Sequence, residues 1–330
     1  MRSGRDRSKV RGVKQLSVII PFFNVEPYAA ETLRTLQNNA APGIEYILVD
    51  DGSTDSTPAI LADGAARIPG ATVLTMPDNV GLGIARNSGL DAACGRYVTF
   101  LDGDDFVATG YFADLVGAIQ RLECDFVRTD HVQVRGRYRS VHRVAWGPRG
   151  VVCPARRGIG PDDRASAVDA PNIWAGIWDR RLLDAGLMHF DESLRTCEDR
   201  PWIWRMHMEA ETFAVVGLLG VFYRREVATS LTQVSDERQF DFIPAFEGIV
   251  ARVRTDPDRE RFMPKAIRSF CAMMSHHMGQ IDRYTPEMGQ QLRTLIGAAL
   301  DRLPAAELDA AVSRLDPTRA MLIQQLRSAA

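Results

Sequence analysis

Lysine is almost absent from this sequence, confined to Lys9, Lys14 and Lys265, so arginine carries its positive charge. That bias suits phosphate recognition through the planar guanidinium fork, and it equally reflects composition alone. Neither sign of charge dominates: 40 Lys+Arg against 42 Asp+Glu leave a formal net charge of -2, which gives no basis for generic nucleic-acid binding. Cysteine is scarce as well. Cys94, Cys124, Cys153, Cys197 and Cys271 show no CxxC spacing and are too sparse for a disulfide framework, so a reducing, cytoplasmic setting is expected. No apolar run reaches the ~20 residues of a membrane-spanning helix, and Phe213 to Tyr223 falls well short. Residues 1–15 are basic with no apolar core behind them, and they read as a flexible tail rather than a signal peptide. Reversible attachment at the inner face of the cell membrane stays compatible with all of this.

What is present is a globular composition, 45% apolar and 25% charged over 330 residues. Short β-rich runs alternate with helical stretches. Leu16–Ile20, Ile44–Val49, Ala71–Thr75 and Arg96–Leu101 read as strands, and the segments between them as helices. This alternation predicts an α/β protein with a parallel-rich sheet. A helix over about 109–122 and a strand near 125–129 continue it. From 134 to 171 the periodicity weakens and Gly, Pro and Arg recur, which reads equally as an acceptor-facing insertion or a surface connection. Within it, Arg135, Arg137, Arg139, Arg143, Arg149, Arg156 and Arg157 suit contact with an acidic polymer as well as they suit a solvated stretch. Trp174 and Trp178, four apart, are expected to share one helix face in the core. Helix-forming composition after about 235 predicts a helical C-terminal part. The expected division is a tail over 1–15, a catalytic domain over 16–235 and a helical domain over 236–330.

Two acidic clusters follow strand candidates. Asp50, Asp51 and Asp55 surround Gly52, where they satisfy their own turn or receive a base or ribose. In Asp102-Gly103-Asp104-Asp105 a tight turn brings two carboxylates to one divalent cation, which offsets the charge of a departing diphosphate. Alone, the second cluster also reads as an exposed acidic turn. His276-His277 is a poor metal pair, because adjacent residues on a helix point in different directions. His189 lacks ligand spacing and reads as a packing or hydrogen-bonding residue.

The four blocks Pro21-Phe-Phe-Asn-Val-Glu26, Val49-Asp-Asp-Gly-Ser-Thr-Asp55, Asp78-Asn-Val-Gly-Leu-Gly-Ile-Ala-Arg-Asn-Ser-Gly89 and Phe100-Leu-Asp-Gly-Asp-Asp105, in this order, resemble the family 2 glycosyltransferases of the non-processive bacterial type. The resemblance extends over roughly residues 16–235. It implies a GT-A fold, a Rossmann-like mixed sheet flanked by helices, with a helical C-terminal appendage. It also implies a nucleotide-sugar donor, UDP-linked by preference, and inversion at the anomeric carbon. Pro21, Phe23, Glu26, Asp51 and Arg86 match the family's donor-binding positions. Asp102 and Asp104 match its metal-associated DxD for Mg2+ or Mn2+, with Asp104 the direct ligand and Asp102 nearer the nucleotide or ribose. Asn87 is expected to shape that site. Asp199, in Thr196-Cys-Glu-Asp-Arg-Pro-Trp202, matches the catalytic base, and Glu198 is expected to orient the acceptor. Tyr223–Thr232 resembles a mobile donor-enclosing segment in which Arg224 or Arg225 contacts phosphate and Ser230 fixes the loop.

The resemblance implies transfer to a cell-envelope glycan or a teichoic-acid-like, polyol-phosphate polymer. A small secondary metabolite as acceptor, or an inactive sugar-binding or assembly protein on the same scaffold, are the alternatives. Self-association through the C-terminal helices is a further expectation.

Overall fold

The computed structural model describes residues 14–225, 227 and 231–328. Chain order begins β1 (Leu16–Phe22), α1 (Glu26–Asn38), β2 (Ile44–Asp50), α2 (Thr57–Ala65), β3 (Ala71–Thr75), α3 (Leu82–Ala92) and β4 (Tyr97–Phe100). It continues with β5 (Phe106–Val107), α4 (Tyr111–Leu122), β6 (Phe126–Arg135), β7 (Tyr138–His142), β8 (Cys153–Pro154), β9 (Gly176–Asp179) and α5 (Arg181–Asp184). The last part is α6 (Asp199–Glu209), β10 (Thr212–Arg224), α7 (Phe242–Arg254), α8 (Arg259–Met278), α9 (Pro286–Arg302), α10 (Ala305–Val312) and α11 (Pro317–Ser328).

The strands form one sheet in the order β3-β2-β1-β4-β9-β6-β10-β5, with β7 on β6 and β8 on β10. β3, β2, β1 and β4 are mutually parallel, as the βα alternation predicts. β9 then inserts antiparallel to both β4 and β6, so the whole is a mixed sheet. β1 and β2 are buried almost throughout, as central strands covered by helices on both faces must be. The apolar run at 213–223 is part of β10, a strand of 13 residues parallel to β6.

One expectation is corrected. Trp178 lies on strand β9 and Trp174 in the turn before it, so no helix carries the pair. Pairing of this segment with both β4 and β6 overrides the helical spacing. Both are nonetheless buried. Trp178 packs edge-to-face on Trp202 of α6 at 5.1 Å and on Phe100 at 5.8 Å, and the Trp202 indole N–H donates to the Met188 carbonyl at 2.5 Å. The segment 134–171 holds the end of β6, all of β7 and β8, and two short 3-10 turns.

The helices α7 to α11 share one continuous apolar core with the sheet. α8 packs along α7, where Phe246 stacks on Phe270 at 5.3 Å and Phe242 on His277 at 4.2 Å. Among the described residues, no helix is long and apolar enough to cross a membrane.

Candidate active site

A cleft of about 1250 Å³ opens at the C-terminal ends of β1, β2 and β4 and runs to α8. Such ends are where open α/β sheets collect polar loops.

The acidic turn after β4 is seated by the glycine inside it. A Cβ on Gly103 would lie 2.4 Å from Phe22 Cδ1 and 2.7 Å from the Pro21 carbonyl oxygen, so only glycine lets the turn rest on the end of β1. The Thr32 hydroxyl of α1 sits 2.9 Å from the Gly103 carbonyl oxygen and 2.6 Å from that of Asp105. The result places Asp102 and Asp104 on the cleft wall and Asp105 behind it, fully buried. Burial, reinforced by Asp102, pushes the Asp104 carboxyl up to about 7. Asp105 is also raised well above the ordinary carboxylate range, by burial and then by Asp104. Its Oδ1 accepts from the Arg224 backbone N–H at 2.7 Å, while its buried Oδ2 has no partner. No group of three or more His, Cys, Asp or Glu side chains converges into a metal cage among the described residues.

Arg86 of α3 lies under this turn, 3% exposed. Its Nη2 donates to Asp102 Oδ1 at 2.8 Å and its Nη1 to Glu198 Oε1 at 2.6 Å. One buried guanidinium thus joins the acidic turn to the start of α6. Burial raises Glu198, with Arg86 opposing and Asp199 adding to the rise. Asp199 is the first residue of α6 and lines the cleft. Its pKa too is raised by burial, against the pull of Arg200 and Arg86. No side chain among the described residues hydrogen-bonds its carboxylate. The turn into α6 passes through Cys197 at a φ of 61°, a left-handed backbone uncommon for a residue with a Cβ. Asn87 fastens α3 to this region, accepting from the Phe190 N–H at 2.7 Å and donating to its carbonyl at 3.1 Å.

The remaining sequence candidates divide. Pro21, Phe23 and Asp51 line the cleft, and the Phe23 ring is 39% exposed there. Asp51 also holds the 79–81 loop, accepting from the Val80 and Gly81 N–H groups at 2.8 and 3.0 Å and from Asn79 Nδ2 at 2.9 Å. Glu26 does not reach the cleft lining: its Oε2 accepts from the Ser56 N–H at 3.1 Å, capping the neighbouring turn. Arg224 also stays outside the lining, because its guanidinium is engaged by the Asp104 carbonyl and the Glu31 carboxylate and lies over Phe106. It pins the acidic turn from behind. Arg225 is the one of the pair that lines the cleft, donating to the Tyr223 hydroxyl at 3.2 Å. Ser230 lies outside the described residues. His189 is an exposed partner of Asp91 at 2.9 Å.

The C-terminal helices supply a wall of the cleft that motif reading missed. Arg268, Ser269 and His276 of α8 and Arg319 of α11 face into it, beside Arg200 and Arg238. Arg268 has neither an ion pair nor a hydrogen bond among the described residues. The floor is therefore acidic and the opposite wall cationic. No motif surrounds Arg268, and only the packing of α8 on α7 brings it there.

This geometry can be set beside known proteins. The chain is similar to the glycosyltransferase EpsJ of Bacillus subtilis (strain 168), 30% identical over 226 residues, covering 66% of this chain and 63% of EpsJ. It is also similar to the minor teichoic acid biosynthesis protein GgaB of the same organism, 39% identical over 102 residues, 30% of this chain and 11% of GgaB. The chain thus spans less than two thirds of either relative. Among solved structures, S. aureus TarS 1–349 in complex with UDP-GlcNAc superposes with a TM-score of 0.75 at 19% identity, over 95% of this chain and 87% of that one. The architecture is accordingly a GT-A fold with C-terminal helices. The family description that matches residues 17–183, half of the chain and all of the elements that build the acidic turn, is glycosyl transferase family 2, and the protein belongs to that family.

Proposed function

We propose that the protein is an inverting glycosyltransferase that moves a sugar from a nucleotide-linked donor, UDP-linked in our reading, to a hydroxyl of a cell-envelope glycan or polyol-phosphate polymer. The observation that carries this reading is the bridge through Arg86. It fixes Asp102, on the acidic turn, to Glu198, so that Asp199 opens into the same cleft as Asp104. A single displacement needs this arrangement, with donor and proton acceptor held on either side of one reacting carbon.

Asp199 takes the proton of the acceptor hydroxyl as its oxygen attacks the anomeric carbon and the bond to the nucleoside diphosphate breaks. A base in this role benefits from a raised pKa, which burial favours here. Glu198 is occupied by Arg86 and positions rather than accepts. Asp104 and Asp102 suit a Mg2+ or Mn2+ ion. Two crowded carboxylates, one raised to about 7, fit a hard cation, which Asp104 and Asp102 would hold. When bound, that ion supplies charge neutralisation for the departing diphosphate. Phe23 offers an aromatic face to the base. The cationic wall around Arg268 favours a phosphate-bearing acceptor. The similarity to a teichoic acid biosynthesis protein supports the same acceptor class.

The test is mass-resolved product analysis over a matrix of nucleotide sugars and acceptors with Mg2+ or Mn2+. Asp199→Asn is expected to abolish transfer while donor binding persists. Unchanged turnover in that variant would remove Asp199 from the base role, and absence of transfer from every donor would overturn the enzymatic reading.

A further inference from the structure

The β6–β7 hairpin leaves the sheet at the cleft and carries chemistry the reaction does not use. β6 and β7 pair antiparallel in the register His131 with His142, Gln133 with Ser140 and Arg135 with Tyr138. Directly opposed residues put their side chains on the same face. The intervening pairs, Val132 with Val141 and Val134 with Arg139, take the other face, where Val132 and Val134 are buried.

The first face is continuous with the cleft. Gln133, Trp174 and Tyr223 line it. His131 packs edge-on against Trp174 at 4.8 Å and stacks on His142 at 5.3 Å. Its Nε2, in a side chain 7% exposed, has no hydrogen-bond partner. Outward from Gln133 the same face reaches Arg135 and Tyr138, about 7 Å further at ~3.3 Å per residue. Tyr138 is 83% exposed. The Arg135 guanidinium has no ion pair or hydrogen bond among the described residues. The sequence has no Asp or Glu between Asp130 and Asp162, so nothing local neutralises the strip.

We infer that this hairpin face is a second acceptor subsite, which holds units of an anionic polymer whose reacting unit lies in the cleft. It rests on the reading of the protein as a transferase acting on such a chain. Charge complementarity sets the class of occupant, and the continuity of this face with the cleft, through Gln133, favours a chain whose reacting unit enters the cleft. The Arg135 guanidinium opposite the exposed Tyr138 ring suits a polymer whose repeats carry both a phosphate and a polyol or sugar surface.

The experiment compares Arg135→Gln/Tyr138→Ser with Arg139→Gln, which removes one arginine from the opposite face of the same hairpin. Binding of poly(glycerol phosphate) to the full chain is measured by titration at low salt, with thermal melting as the folding control. The double variant is expected to bind roughly tenfold more weakly, the loss of an exposed ion pair and a ring contact, and Arg139→Gln within about twofold of the parent. Donor turnover on glycerol phosphate alone is expected to match the parent in both. Equal losses in the two variants, no loss in the double variant, or no polymer binding by the parent would each overturn the subsite. So would a loss confined to phosphatidylglycerol vesicles, which would make the face a membrane contact. Failure of the parent to turn over any donor would count against the transferase reading while leaving the binding comparison intact.

Discussion

Arg86→Met tests the bridge on which the site geometry depends. In the folded protein Arg86 is 3% exposed, Glu198 6% and Asp102 24%, and each carboxylate has Arg86 as its ion-pair partner. Methionine fills much of the same volume but strands both carboxylates. Breaking a buried pair from one side costs about 3–5 kcal/mol, most of it here from Glu198, since Asp102 keeps some access to water. With an unfolding entropy of ~2.1 cal/mol/K per residue over 330 residues, the melting temperature at pH 8 should fall by roughly 4–7 °C. The pH dependence gives a sharper signature. Arg86 is the chief influence that lowers Glu198, so without it the folded-state pKa climbs further above the ordinary value of 4.5. A carboxyl raised in the folded state favours folding when protonated and costs stability progressively as pH rises past 4.5 toward its folded pKa. The deficit of Arg86→Met should therefore be small near pH 5 and large at pH 8, as read by differential scanning calorimetry. Adding Glu198→Gln should recover most of it at pH 8. A variant that melts within 1 °C of the parent at pH 8, an equal deficit at both pH values, or a further loss on adding Glu198→Gln would refute the reasoning.

Gly103→Ala should shift the acidic turn, because its Cβ meets Phe22 Cδ1 at 2.4 Å, and a displacement of this size should cut transfer by on the order of a hundredfold in a steady-state assay while the protein stays folded. His207 is fully buried and held down to about 3 by burial, so its neutral form contributes stability above pH 6.5 that is lost as pH falls; denaturant unfolding of His207→Gln and parent should converge by about 2 kcal/mol between pH 7 and pH 5. Lys265→Met removes the buried ammonium 2.5 Å from Asp169, which lines the cleft, and should lower unfolding free energy by about 3 kcal/mol; an unchanged denaturation midpoint would show the pair to be dispensable.

Local pattern was sufficient for the strands β1 to β4, since their β-rich runs, their turns and the helices between them are decided by residues adjacent in sequence. Asp102, Asp104 and Asp199, singled out in the sequence, all line the one cleft. Pattern erred where a residue's partner lies far along the chain. Trp174 and Trp178 had helical spacing, yet β4 and β6 recruit the segment as a strand. Arg224 and Arg225 were equivalent in sequence; an antiparallel contact of β10 with β5 turns one behind the acidic turn and the other into the cleft. Glu26 matched a donor position in the sequence, and in the structure it lies outside the cleft lining, accepting from the Ser56 N–H.

The sequence by itself determined the family, the αβ alternation and the acidic residues at strand ends, because short-range order carries those features. Only the tertiary structure decided that Arg86 joins Asp102 to Glu198, that α8 turns Arg268 into the cleft, and which face of β7 adjoins it. These are set by burial and strand register rather than by any local residue preference, and Arg86 and Glu198 lie 112 residues apart.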